Sequence, residues 1–234
     1  MIMLVQFILI GCNNDDNWSP TKHMLFIDYT KSCESTDEFN EPYVRKSILR
    51  IAESMGKNDE LVIYPIHAYT ESASPIIEPI RLPELRGDLA DAKRKKKWRK
   101  DLAKEIDRVI NYQFDDRILS GTNVFAALRK ANRTIKNDNN VKIHFISDMV
   151  HEMHDVSFKI DFKEIHQNDI HEIALNKAKE YCPDQSLKNI EVAVYLPGRP
   201  SGGEIELLYH TINSFWEEFF VMAGTSVKIR DLKA

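Results

Sequence analysis

Three separated pieces of this chain carry oxygen donors that could close around one divalent cation: Asp28-Tyr29-Thr30-Lys31-Ser32, Ser120-Gly121-Thr122-Asn123 and Ser147-Asp148. Asp28, Thr30, Ser32, Thr122 and Asp148 are the candidate ligands, two carboxylates and three hydroxyls. A donor set without Cys or His suits a hard ion such as Mg2+ (or Mn2+), which keeps waters or accepts an outside carboxylate at its remaining positions. Function would lie at that open position.

The elements that must position these residues alternate in type. His23 to Ile27 is a short apolar run ending at Asp28, and Tyr43 to Met55 places Val44, Ile48, Ile51, Ala52 and Met55 at helical spacing. Leu61 to Tyr69 reads as a strand, with a bulge expected at Pro65 because proline cannot donate to a ladder. Ile76 to Leu82 reads as its antiparallel hairpin partner, held at a sheet edge by Pro75, Pro79 and Pro83. Asp88 to Tyr112 is a charged helix, and Thr122 is expected to N-cap a helix that turns Phe125, Leu128, Ala131 and Ile135 inward. Strand Val141 to Ser147, helix Asp169 to Tyr181, strand Ile190 to Leu196, a helix from Ile205 to Met222 with Gly224 as C-cap, and strand Ser226 to Ile229 complete the series. The fold class is therefore α/β: a doubly wound, mostly parallel sheet with one antiparallel edge strand and helices on both faces. Ligand sites in such sheets lie outside the carboxyl ends of the strands, where Asp28 and Asp148 fall.

A length of 234 residues fits one sizeable domain, and the division expected is a leader and polar linker over residues 1–22 followed by a single domain over 23–234. The net charge of −4 gives no chain-wide basis for nucleic-acid binding. Met1 to Gly11 is almost wholly apolar and too short to span a bilayer, and Leu9-Ile10-Gly11-Cys12 resembles a bacterial lipoprotein box. That resemblance implies a signal peptide, lipidation at Cys12 and a lipid-anchored location in the bacterial cell envelope. The leader lacks the usual Lys or Arg, and the alternative is a buried N-terminal strand in a cytoplasmic protein. Cys33 and Cys182 are expected on opposite rims of the sheet and therefore unpaired, since a disulfide needs Cα atoms within about 7 Å.

In its motifs the chain resembles the von Willebrand factor A domain family, from His23 to Leu232. Asp28-Tyr29-Thr30-Lys31-Ser32 matches that family's Asp-x-Ser-x-Ser with Thr for the first Ser, Gly121-Thr122-Asn123 matches its Thr loop, and Phe145-Ile146-Ser147-Asp148 matches its Asp after a strand, with Met149 where Gly is usual. The resemblance implies a metal-ion-dependent adhesion site (MIDAS). There Thr30 and Ser32 ligate through hydroxyls, Thr122 ligates directly or through water, and Asp28 and Asp148 hold coordinated waters. It also implies a non-enzymatic module that captures an acidic residue of a partner protein at the metal. The alternatives are a metal-free scaffold of the same fold and a haloacid-dehalogenase-like, Mg-dependent phosphohydrolase. The latter needs Asp-x-Asp, and Thr30 stands where its proton carrier should be.

Two further stretches have competing readings. Lys93 to Lys100 is basic at every position but Trp98, and these seven charges within a total of −4 leave −11 on the rest. A solvated helix face is the default, and a patch for anionic headgroups or a nucleic-acid backbone, with Trp98 at the interface, is the functional alternative. His144, His151, His154, His166 and His171 crowd one stretch, but the second His of His151-Glu152-Met153-His154 falls at i+3, not the i+4 of a zinc-protease helix. Surface histidines are expected there. The aromatic set Phe215, Trp216, Phe219 and Phe220 is read as core.

Overall fold

The apolar runs and helical stripes assemble into one central sheet. A computed structural model describes residues 19–29, 41–83, 90–112, 121–137, 140–152, 167–196 and 203–231. Its elements are β1 Lys22–Asp28, α1 Glu41–Glu53, β2 Glu60–Ile66, β3 Ile80–Arg81, α2 Asp91–Ile110, α3 Val124–Ile135, β4 Val141–Ile146, α4 Gln167–Tyr181, β5 Glu191–Leu196, α5 Gly203–Met222 and β6 Val227–Asp231, with single 3-10 turns at Thr70–Ser72 and Pro183–Gln185. The strand order is β3-β2-β1-β4-β5-β6, with every pair parallel except β2 with β3.

Alternation along β1 divides the core. Met24 and Phe26 join Phe125, Leu128, Phe215, Trp216 and Phe219 on the face covered by α3, α4 and α5. Leu25 and Ile27 join Val44, Ile48, Leu102 and Ile106 on the face covered by α1 and α2. Strands buried on both faces read as continuous apolar runs, which is why β1, β4 and β5 were legible. The aromatic set of α5 is core as expected, all four rings being at most 1% exposed.

Three expectations need correction. The register of β1 with β2 runs unbroken from Lys22↔Glu60 to Asp28↔Ile66, so Pro65 makes no bulge. The carbonyl of Ile63 accepts from Ile76 N at 2.8 Å on the edge side of β2, and Pro65, two residues on, presents its nitrogen to that same side. There β3 has already ended, so no ladder bond is lost. The edge strand itself is far shorter than Ile76 to Leu82: only Ile80 and Arg81 pair, opposite Leu61 and Glu60. The prolines on either side limit it. Finally, the N-cap of α3 is Asn123, whose Oδ1 accepts from Ala126 N at 2.8 Å, and not Thr122.

α5 ends as expected. Gly224 has φ +94°, and Thr225 N bonds back to Phe220 O at 2.9 Å. A Cβ on Gly224 would meet the Gln185 side chain at 2.8 Å. Cys182 is buried beside Asn132, and burial pushes its thiol pKa up, which disfavours the reactive thiolate. Cys33 lies outside the described residues.

Candidate metal centre

The chain leaves β1 for β2 and β3 on one side, then returns to β4 on the other, so the carboxyl ends of β1 and β4 flank the point where the strand order reverses. Because Ile27 pairs with Ile146, Asp28 lies level with Ser147. Ser147 Oγ donates to Asp28 Oδ2 at 2.9 Å, and both residues are fully buried. Asp148 follows, 4% exposed. Its Oδ1 accepts from Val150 N at 3.0 Å and its Oδ2 from the Tyr209 hydroxyl of α5 at 3.3 Å.

Met149, where the resembled family usually has Gly, adopts φ +59°. That left-handed conformation strains a residue with a Cβ and is what glycine provides without strain. Here it is held by its neighbours: Met149 N donates to Ser147 Oγ at 2.9 Å, and Met149 O accepts from Trp216 Nε1 at 2.8 Å. Ser147 Oγ therefore links the two ends of the rim, accepting from Met149 while donating to Asp28.

Thr122 is fully buried, and its main chain pairs with Glu152 in both directions, each bond 3.0 Å. This isolated bridge ties the start of α3 to the segment that follows Asp148, bringing Thr122 to the same rim. Asn123 holds the loop from the other side by capping α3. Thr30, Ser32 and Cys12 lie outside the described residues, as does Lys31. Of the five candidate ligands, then, Asp28, Thr122 and Asp148 share one rim of the sheet.

The donors fit a hard cation. Two buried carboxylates on neighbouring strand ends, held by hydroxyl and main-chain N–H donors, together with the hydroxyl residues Ser147 and Thr122, form an all-oxygen environment. Among the described residues no cluster of three His, Cys, Asp or Glu side chains could hold a metal, so an ion here would rely on hydroxyls, waters and an outside ligand to complete its shell.

Ser147 and Tyr209 were not among the assigned ligands, and both brace the site. Ser147 was legible as part of Ser147-Asp148. Tyr209 follows Leu208 at the edge of the apolar stripe of α5, and that periodicity is the only local signal of its position.

The histidines differ from expectation. His144 and His151 are buried, not surface residues, because β4 runs through the centre of the sheet and the ring of His151 packs 4.8 Å from that of Phe125. The segment at His151-Glu152 is extended, which removes the helical geometry a zinc-protease pair requires. His171 is exposed on α4 and pairs with Glu218 at 3.1 Å, while His154 and His166 lie outside the described residues. At the opposite, amino-terminal end of the strands, His23 is buried with its Nδ1 3.1 Å from His144 Nε2 and its Nε2 3.3 Å from Asp59 Oδ2. Burial lowers the pKa of His23, and this outweighs the opposing pull of Asp59.

No family model and no curated protein matches the sequence. Solved structures that match include proximal thread matrix protein 1 from the mussel byssus, at 8% identity over 91% of this chain and 44% of that one, with a TM-score of 0.48. A von Willebrand factor type A protein from Catenulispora acidiphila matches at 12% identity over 88% of this chain and 42% of that one, with a TM-score of 0.39. The pilus adhesin SpaC from Lactobacillus rhamnosus GG matches at 12% identity over 92% of this chain and 29% of that one, with a TM-score of 0.44. The chain spans less than half the length of each of these structures. At such identities and TM-scores, the reading of the site rests on its own residues.

Proposed function

We propose that the protein is a non-enzymatic, divalent-metal-dependent binding module of the von Willebrand factor A type. On this reading Asp28, Thr30, Ser32, Thr122 and Asp148 hold Mg2+ or Mn2+ in a MIDAS, and a carboxylate of a partner protein completes the shell. When bound, the ion supplies an open electrophilic coordination position. The chain's own residues fix where that position lies: Ser147 and Tyr209 orient the two carboxylates, and the Thr122–Glu152 bridge sets the height of the hydroxyl loop.

The observation that carries the proposal is the convergence of Asp28, Asp148 and Thr122 from three separate segments on the β1/β4 switch point. The motif Asp28-x-Thr30-x-Ser32 favours capture over catalysis, because a phosphohydrolase of the haloacid-dehalogenase type would need a second Asp at position 30. The lipoprotein-box resemblance of Leu9-Ile10-Gly11-Cys12 supports the reading of this module as lipid-anchored in a bacterial envelope. Among the described residues no helix is long and apolar enough to cross a membrane.

Thermal unfolding with and without Mg2+ and Mn2+ tests the proposal. An ion present at about a hundred times its Kd stabilises by ~2.7 kcal/mol, which for a domain of this size raises Tm by about 5–10 °C. That shift is expected for the wild type and absent in Thr122→Ala and Asp148→Asn. A wild type with no metal-dependent shift would contradict the proposal, and turnover of a phosphate monoester would favour the hydrolase.

A further inference from the structure

The basic stretch sits at a defined end of the molecule. Trp98 Nε1 donates to Arg81 O at 3.0 Å, and Arg81 pairs with Glu60 at the start of β2. Arg99 bridges to Glu53, the last residue of α1, at 2.8 Å. At the other end of α2, Val109 O accepts from the hydroxyl of Tyr29, which follows β1, at 2.7 Å. α2 therefore climbs from the amino-terminal rim of the sheet to the candidate metal rim, with its basic turns at the bottom.

The structure sorts the charges of these turns. Trp98 is turned against the α1/α2 core and so does not stand at an interface, as the alternative reading of this stretch had it. The arginines are engaged, Arg94 with Asp91 and Arg99 with Glu53. The lysines are not: among the described residues no carboxylate pairs with Lys93, Lys96, Lys97, Lys100 or Lys104, and all five are exposed. Their spacing of i, i+3, i+4, i+7 and i+11 puts them on one helical face, opposite the buried Leu102, Ile106 and Val109, in a stripe about 16 Å long.

The chain also enters the fold at this rim. Thr21 N donates to Asp59 Oδ1 at 2.7 Å, Lys22 N to Asn140 O at 2.9 Å, and Asn140 Nδ2 to Ser19 O at 2.9 Å. Ser19 and Thr21 therefore lie at the rim from which α2 starts.

We propose that the Lys93-Lys96-Lys97-Lys100-Lys104 face is an electrostatic docking surface for anionic phospholipid headgroups. Strongly hydrated ammonium groups on flexible stems suit a fluid array of headgroups. Arginines, which bind nucleic-acid phosphates bidentately, are here committed to internal ion pairs, and no aromatic ring is free on the stripe for base stacking. The seven basic residues from Lys93 to Lys100 stand against −11 in formal charge on the rest of the chain, so attraction to an anionic surface is concentrated on this face.

The test uses the full, unacylated chain with vesicles of phosphatidylcholine alone or mixed with phosphatidylglycerol, and duplex DNA as a competing polyanion. Each lysine near an anionic surface is worth about fivefold in partitioning. Binding to the anionic vesicles only, lost at 1 M salt where the Debye length is about 3 Å, is expected for the wild type. Lys93→Gln/Lys96→Gln/Lys97→Gln/Lys100→Gln should weaken it more than tenfold, and the corresponding Arg variant should retain it, with Tm unchanged in both. Equal vesicle binding by wild type and Gln variant, no wild-type binding, or tighter binding to DNA than to vesicles would overturn the proposal. Because the chain is unacylated, none of these outcomes depends on Cys12; the mass of the protein from its native host decides lipidation separately.

Discussion

At the scale of single residues, the candidate site is organised by hydroxyls that touch carboxylates. Ser147 Oγ connects Asp28 to the strained turn at Met149, and Tyr209 reaches Asp148 from a different element. Asp28 and Asp148 were legible because each is an acid directly after an apolar strand. Thr122 and Asn123 are adjacent residues of good capping type, and local sequence cannot say which one caps; the Thr122–Glu152 bridge, a contact between distant segments, decides it. The buried pair His23 and His144 was illegible for the same reason, since their contact depends on the register of β1 with β4. This pair makes a prediction about pH. His23 is held neutral by burial, with its pKa below 6.5, and is faced by Asp59, His144, Lys142 and Glu191. His67, also buried, shifts the same way. When the folded pKa lies below the unfolded one, the unfolded chain takes up the proton first, so stability is full above about pH 6.5 and falls as pH drops toward the folded value. Urea unfolding from pH 8 to pH 5 should show that decline, with a shallower slope in His23→Gln. A flat profile in the wild type would count against a neutral buried His23.

At the scale of elements, strand and helix positions were legible from periodicity because a sheet covered on both faces makes its strands apolar throughout and its helices one-sided. What was not legible was the consequence of neighbours. Pro65 is tolerated in β2 because β3 stops at Ile80–Arg81, and the shortness of β3 is itself a property of pairing. The basic turns of α2 likewise could not be divided by sequence into paired arginines and unpaired lysines; the positions of Asp91 and Glu53 make that division. The end of α5 offers a direct test of how tightly an element boundary is set. Gly224 combines φ +94° with a Cβ position 2.8 Å from the Gln185 side chain. Gly224→Ala should therefore cost about 1–3 kcal/mol in chemical unfolding, from backbone strain and the displaced turn together. A loss under about 0.5 kcal/mol would mean that the turn at Pro183–Gln185 yields readily.

At the scale of the whole molecule, the two rims of the sheet are chemically distinct. The carboxyl rim gathers Asp28, Ser147, Asp148 and Thr122 at the switch point of the strand order, while the chain enters at the amino-terminal rim, from which the lysine stripe runs up α2. Whether the carboxyl rim holds one divalent ion can be read by titrating Mn2+ into the full chain and following the electron paramagnetic resonance signal of the free ion. A single saturable site is expected on the wild type, displaced by Mg2+ and lost in Asp148→Asn and Thr122→Ala. No bound Mn2+, or a stoichiometry unchanged by both substitutions, would contradict it.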